Sequence, residues 1–280
     1  MSIPKLVGVF GGGRMGAGIA HAFLLAGANV VIIEANRAAA DGAAERVRHT
    51  LRKAEERGSL QETASDTEKR LDVSTDLAAL AAAELIVEAV PENPDLKAQI
   101  LTAVASAAPD AVLASNTSSL SIDALAGHLP DPTKFLGLHF FNPVPASDLV
   151  EIVVGSKTAP EIVTSAQAWV EDLGKTAITV TDSPGFASSR LGVAIALEAM
   201  RMIDEGVASA HDIDTAMTLG YRHPMGPLKT TDIVGLDVRL AIAEHLEREL
   251  GPRFAPPQIL KDKVARGELG NKTGQGFYTW

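Results

Sequence analysis

The chain has 280 residues and a formal net charge of −10, with 35 acidic against 25 basic residues, the wrong sign for wrapping a polyphosphate, so no nucleic-acid partner is expected. With 46% hydrophobic and 21% charged residues it reads as an ordinary globular chain, long enough for two domains of usual size. The absence of cysteine removes disulfides, thiolate nucleophiles, iron–sulfur clusters and Cys-ligated zinc, and no two of the seven histidines have the spacing of a zinc-protease helix, so no metal is expected.

The opening MSIPKLVGVF runs straight into a strand, unlike a signal peptide, and charge interrupts every apolar stretch well short of the roughly twenty residues of a membrane span; the expectation is a soluble, cytoplasmic protein with no membrane partner. Short β-branched runs follow at 6–10, 29–33, 84–90, 111–115, 134–140, 149–155 and 176–180, separated by Ala-rich helical stretches, while 60–70 is merely polar. That alternation predicts a parallel sheet wrapped on both faces. Beyond Pro184 the signal turns helical: about 187–205, closed by Gly206; about 210–219, opened by Ser209 with Asp212 as a capping box; and about 227–249, ahead of Gly251 and Pro252. The first of these helices is apolar over most of its circumference, which predicts cover on more than one side, from its own domain or from another subunit. The domains are therefore expected at 1–183 and 184–280.

Four constellations carry candidate chemistry. Gly11-Gly12-Gly13-Arg14-Met15-Gly16 directly follows the first strand and opens a helix, where Gly11 permits the tight turn, Gly13 admits a pyrophosphate and Gly16 lets helix and strand pack closely. Glu34 ends the second strand, 18 residues after Gly16, where a carboxylate binds the adenosine ribose; this favours NAD over NADP, with Arg37 near enough to keep NADP open. His139 and Glu151 lie six residues either side of Pro145. If their strands form a hairpin centred there, the two side chains face each other about 5 Å apart, as a carboxylate-oriented general base or as a buried ion pair. Ser115-Asn116-Thr117-Ser118-Ser119 sits at the C-terminal end of a strand, where ligands bind in open α/β sheets and where turn and cap chemistry also places such residues; Ser121 reads as a helix cap outside the site. Arg46, Arg48, Arg52, Lys53 and Arg57 follow the second strand, with 46, 53 and 57 on one helical face; they suit an anionic ligand or a solvated surface interleaved with Glu45, Glu55 and Glu56.

Taken together, GGGRMGAGIA, EAVPEN, SNTSSLSI, HFFNPVP, HPMGPL and KTGQGFY resemble, in order, the L-3-hydroxyacyl-CoA dehydrogenases, particularly the short bacterial 3-hydroxybutyryl-CoA form, over about residues 5–280. The resemblance implies a Rossmann-type, doubly wound α/β domain followed by an all-α domain, an acyl-CoA substrate, NAD as cofactor, and a homodimer formed through the helical domain. It implies that His139 and Glu151 are the catalytic pair and that Ser118 stands between substrate and nicotinamide. Cofactor contacts fall on Gly11, Gly13, Gly16, Glu34, Glu92, Lys97, Asn142 and Lys272, to which Arg14, Met15 and Asn116 are added from within the same motifs. The family's coenzyme A contacts, a Ser and a Lys, fall on Thr50 and Arg57. Where the family reads PGF-x-x-N-R, this chain reads PGFASSR, so Ser189 replaces an active-site asparagine and offers one rotatable hydroxyl on a shorter arm. Sugar-acid and carnitine dehydrogenases resemble the nucleotide half, but HFFNPVP followed by HPMGPL favours the acyl-CoA branch. Against a cofactor-binding protein without turnover stand His139 and Glu151, and only Ser189 speaks for it.

Overall fold

Eight strands form one sheet in the computed structural model, which describes residues 3–280: β1 (Leu6–Phe10), β2 (Asn29–Ile33), β3 (Leu71–Ser74), β4 (Leu85–Glu88), β5 (Val112–Ser115), β6 (Phe135–Phe140), β7 (Leu149–Val154) and β8 (Thr176–Thr181). Their order is β3-β2-β1-β4-β5-β6-β7-β8, parallel throughout except for the antiparallel pair β6–β7. The order reverses between β1 and β4, so the ends of these two strands open the crevice in which doubly wound sheets take their ligands. Helices α1 (Arg14–Leu25), α2 (Arg37–Glu56), α3 (Ala64–Glu68), α4 (Pro94–Ala107), α5 (Ile122–Ala126) and α6 (Pro160–Asp172) connect the strands. The core joins Val7 and Val9 of β1 and Val30 and Ile32 of β2 to Ile19, Phe23 and Leu24 of α1 and to Leu136, Leu138 and Phe140 of β6. Continuous burial of such runs is the mark of central strands covered on both faces.

The predicted strands are present, some trimmed by a residue or two at their ends. Two elements fall where the sequence offers no apolar run: β3 pairs only with β2, at the sheet edge, and LDVS has no residue buried; α3 forms within the polar stretch 60–70, capped by Thr63, whose hydroxyl accepts the Asp66 N–H.

The chain divides into two compact units between Asp182 and Ser183. The second holds α7 (Ser188–Asp204), α8 (Ala210–Thr215), α9 (Pro227–Val234), α10 (Leu236–Leu250) and α11 (Gln258–Ala265). The single helix expected at 227–249 is corrected to two, because Gly235 takes φ +105°, open to glycine and not to other residues, and the chain turns there. The helix expected to reach 219 is α-helical only to Thr215 and continues as a wider π turn over Ala216–Gly220. Ser209 caps α8, its hydroxyl accepting the Asp212 N–H, and the expected return bond from the Asp212 carboxylate goes to that same hydroxyl, which donates to it. α7 buries Val193, Ala196, Leu197 and Met200 but leaves Leu191 63% exposed, so within its own unit it is covered on one side only. Two buried carboxylates fasten the tail. Asp232 accepts from the N–H groups of Phe277 and Tyr278 and from the Trp280 indole; Asp214 accepts from the Tyr278 hydroxyl and from the N–H groups of Leu228 and Lys229 at the start of α9. Among the described residues no helix is long and apolar enough to cross a membrane.

Candidate active site

The loop Gly11–Gly16 leaves β1 and enters α1 at Gly13, with no side-chain cap and no acidic residue in the first turn, so the N–H groups and positive dipole end of this helix are available to an anion. A Cβ on Gly16 would collide with the Gly11 carbonyl, which is why helix and loop can pack this closely only around glycine. Glu34 follows β2 and turns back over the loop: its carboxylate accepts the Gly12 N–H at 2.7 Å. Arg46 closes the loop from the other side, donating to the Gly12 carbonyl at 2.9 Å. A glycine cradle at a helix start, beside a carboxylate at the next strand end, fits a dinucleotide with an unphosphorylated ribose.

At the end of β4 lies Glu88, 1% exposed, which sequence reasoning does not single out although an acid inside the apolar run ELIVEAV is itself a signal. It accepts from Lys97 Nζ at 2.7 Å, from the Ser115 hydroxyl at 2.6 Å and from the Val90 N–H at 2.7 Å. Lys97, expected among the cofactor contacts, is 1% exposed; its ammonium donates to Glu88 and to the Val90 carbonyl and lies 3.3 Å from Glu92, since a buried lysine needs such partners. Glu92 Oε1 in turn gathers the turn after β5, accepting from the Thr117 hydroxyl at 2.6 Å and from the N–H groups of Ser118 and Ser119. Burial pushes the Glu92 carboxyl up, but Lys97, the Thr117 hydroxyl and the Ser118 N–H together hold it below the usual range. Asn116 accepts the Phe140 N–H at 2.9 Å and ties this turn to the end of β6. Ser121 caps α5, as its sequence position suggests.

β6 and β7 form the hairpin, with His139 paired to Glu151 in the ladder. His139 Nδ1 lies 2.7 Å from Glu151 Oε2, the carboxylate is fully buried, and the imidazole ring meets Phe141 at 4.4 Å between centroids. Within the hairpin loop, Lys175 donates to the carbonyls of Val144 and Ser147 and fixes its shape.

That loop forms one wall of a groove of about 900 Å³ whose other walls are α1 and α2. Thr50, Arg57, Arg46 and Lys53 line it, as do Arg14 and Asn142, whereas Arg48 and Arg52 of the same basic cluster are held at the surface by Glu68 and Glu45. The groove is thus basic along α2. His21 of α1, which sequence reasoning leaves among the uncommitted histidines, also lines it; it is 3% exposed, its Nδ1 has no partner, and burial, aided by the nearby Lys175 charge, lowers its pKa to about 4. A histidine on an apolar helix gives no sequence signal of facing a groove.

In the second unit Lys272 pairs with Asp237 at 2.6 Å at the start of α10, and Ser189 is half-buried in the first turn of α7.

Residues 6–183 match the family model described as 3-hydroxyacyl-CoA dehydrogenase, NAD binding domain, and residues 185–280 match 3-hydroxyacyl-CoA dehydrogenase, C-terminal domain. The probable 3-hydroxybutyryl-CoA dehydrogenase of Deinococcus radiodurans is 39% identical over 275 residues, covering 98% of this chain and 99% of its own. The 3-hydroxybutyryl-CoA dehydrogenase of Mycobacterium tuberculosis is 39% identical, with 98% of each chain covered. The crystal structure of (S)-3-hydroxybutyryl-CoA dehydrogenase from Ralstonia eutropha superposes with a TM-score of 0.95 at 38% identity, covering 99% of each chain.

Proposed function

The chain belongs to the 3-hydroxyacyl-CoA dehydrogenase family, and we propose that it oxidises the 3-hydroxyl of (3S)-3-hydroxyacyl-CoA, with 3-hydroxybutyryl-CoA the leading substrate, reversibly and with NAD as its redox partner. The observation that carries this reading is the buried 2.7 Å contact between His139 and Glu151, formed at the same C-terminal end of the parallel strands β5 and β6 as the Ser115–Ser119 turn. Bound NAD supplies a nicotinamide C4 that accepts hydride from C3 of the substrate.

The chain's own residues then divide the work. Glu151 holds Nδ1 of His139 as N–H, which directs Nε2 to take the proton of the 3-hydroxyl and balances the imidazolium that results. In the reverse direction the same imidazolium returns the proton to the 3-keto oxygen. Ser118, set in place by Glu92, donates to the reacting oxygen, and Glu92 is itself held by Lys97. Gly11, Gly13, Gly16, Arg14, Met15 and Glu34 hold the dinucleotide, with Asn116 and Asn142 lining its approach and Lys272 of the helical unit as a further contact. Thr50 and Arg57 receive the coenzyme A phosphates in the basic groove, and Ser189 contacts the acyl end. The exposed apolar residues of the second unit, Leu191, Leu219 and Tyr221 among them, are covered in a homodimer.

The test is NADH oxidation with acetoacetyl-CoA beside longer 3-ketoacyl-CoAs and a panel of sugar acids. Turnover confined to the acyl-CoAs supports the reading; turnover of sugar acids alone, or of nothing, overturns it.

A further inference from the structure

Gly12 is held by side chains of opposite charge on its two backbone groups: Glu34 accepts its N–H at 2.7 Å, and Arg46 donates from Nε to its carbonyl at 2.9 Å. That carbonyl belongs to the same peptide as the N–H of Gly13, and the peptide is trans, the one cis bond among the described residues being Asn142-Pro143. In a planar trans peptide C=O and N–H point in opposite directions. Turning the Gly12 carbonyl toward α2 therefore turns the Gly13 N–H away from it, and this N–H, at the start of α1, donates to nothing among the described residues. It is one of the donors that a helix start of this kind offers to a pyrophosphate.

The terminal nitrogens of the same guanidinium belong to the groove. Arg46 is exposed, and among the described residues it has no ion pair and no hydrogen bond beyond the one to Gly12, whereas Arg48 and Arg52 of the same helix are taken by Glu68 and Glu45. It reaches back over Gly42, one turn earlier on α2: a Cβ there would stand 3.4 Å from Nη1 and 3.6 Å from Nη2. Glycine is a poor residue for a helix interior, and here its missing side chain leaves the guanidinium room against α2. Gly42 and Arg46 both line the groove, and Thr50, Lys53 and Arg57 continue the same helical face away from the glycine loop. One side chain thus touches the nucleotide loop with Nε and presents two unpartnered donors to the groove.

We propose that Arg46 is a positioning residue that couples the two ligands: a coenzyme A phosphate bound at Nη1 and Nη2 keeps the guanidinium docked on the Gly12 carbonyl, so that coenzyme A and NADH each strengthen the binding of the other. The proposal rests on the acyl-CoA reading of the groove given above. An exposed arginine samples undocked rotamers, and in these the Gly12–Gly13 peptide loses the restraint on its carbonyl. An anion that binds the docked side chain better than the undocked one shifts that balance, and linkage makes the effect reciprocal. Lysine is no substitute, because its compact ammonium has no separate Nε to hold the carbonyl while other donors hold the phosphate.

The experiment measures the dissociation constant of NADH by fluorescence titration with and without saturating coenzyme A, and that of coenzyme A by calorimetry with and without saturating NADH. The proteins are the wild type, Arg46→Lys, Arg46→Met and Lys53→Met. In the wild type each ligand is expected to tighten the other by the same factor, about three- to tenfold, the worth of one hydrogen bond at an exposed side chain. Arg46→Met should abolish the coupling. Arg46→Lys should keep most of the affinity for coenzyme A and show little coupling. Lys53→Met should weaken coenzyme A and leave the factor as in the wild type, since Lys53 lines the groove two turns further along α2. An undiminished factor in Arg46→Met, or an equal loss of coupling in Lys53→Met, overturns the proposal. Wild-type binding of both ligands without coupling overturns it too and leaves the acyl-CoA reading standing, whereas a wild type that binds no coenzyme A overturns both.

Discussion

Glu88 and Lys97 form an ion pair of 2.7 Å in which each side chain is 1% exposed, between the end of β4 and the first turns of α4. Through Glu92 the same lysine reaches the turn that carries Ser118. Lys97→Met leaves Glu88 buried without its counter-ion and is expected to cost about 3–5 kcal/mol, read from urea unfolding. Glu88→Gln combined with Lys97→Met should recover most of that loss. Additive losses in the double variant would show that the pair is not coupled.

The dyad makes the sharpest kinetic prediction. His139→Gln should lower kcat by about 10²-fold or more while the dissociation constant for NADH, followed by fluorescence titration, stays within about threefold of wild type, because the role proposed for the residue is to move a proton and not to hold the nucleotide. A variant retaining more than a tenth of the wild-type kcat contradicts the assignment.

Cofactor choice should follow Glu34. If its carboxylate, fixed over the loop by the Gly12 N–H, receives the adenosine ribose as proposed, it repels a 2′-phosphate, so kcat/KM with NADH should exceed that with NADPH by about tenfold or more, and Glu34→Ala should narrow the gap. Arg37, whose side chain is exposed and paired with Asp41 at 2.9 Å, is the residue that equal use of NADPH would implicate.

His21 predicts a pH dependence of stability. In the folded chain burial lowers its pKa to about 4, whereas unfolded it titrates near 6.5, so between these values the unfolded state binds the extra proton. Its contribution is therefore fully present above pH 6.5 and is lost as the pH falls toward 4, by up to about 3 kcal/mol for a shift of this size. His21→Gln should flatten the stability profile in that window and leave it unaltered above pH 7. A parallel profile in the variant would refute the assignment.

Ser189→Asn restores the family's residue. Its effect on kcat/KM should stay within the worth of one or two hydrogen bonds, about 1–3 kcal/mol or roughly 5- to 150-fold, and should differ between C4 and C8 substrates because the two side chains differ in reach. An inactive wild type rescued by asparagine would overturn the enzymatic reading itself.

The sheet is legible in the sequence wherever β-branched residues run together, and the spacing about Pro145 sets His139 opposite Glu151 once the two strands are taken as a hairpin, as they pair in the structure. β3 is not legible, because an edge strand pairs through backbone on one side only and LDVS need bury nothing. Nor is the break at Gly235, since glycine within a helical pattern marks a stop only when the backbone takes a positive φ there. Motif spacing brings Lys97 to the right neighbourhood but does not reveal its partner. Sequence records that EAVPEN and Lys97 are close, whereas the inward turn of the ammonium toward Glu88 is a tertiary fact. The groove along α1 and α2 is half visible, in the basic residues at 46, 53 and 57, while its uncharged His21 resembles any core residue.

The antiparallel hairpin has a consequence for how this chain can change over generations. His139 and Glu151 meet because eight residues separate β6 from β7, and adjacent residues of a strand point to opposite faces of the sheet. Inserting or deleting one residue between Phe141 and Asp148 would set Val150 or Ile152 opposite His139, or force β7 to slide against both β6 and β8. A substitution in that segment acts locally, on a loop; a change of length acts as a frameshift in space. Descendants of this sequence can vary the letters between the two strands far more readily than their number.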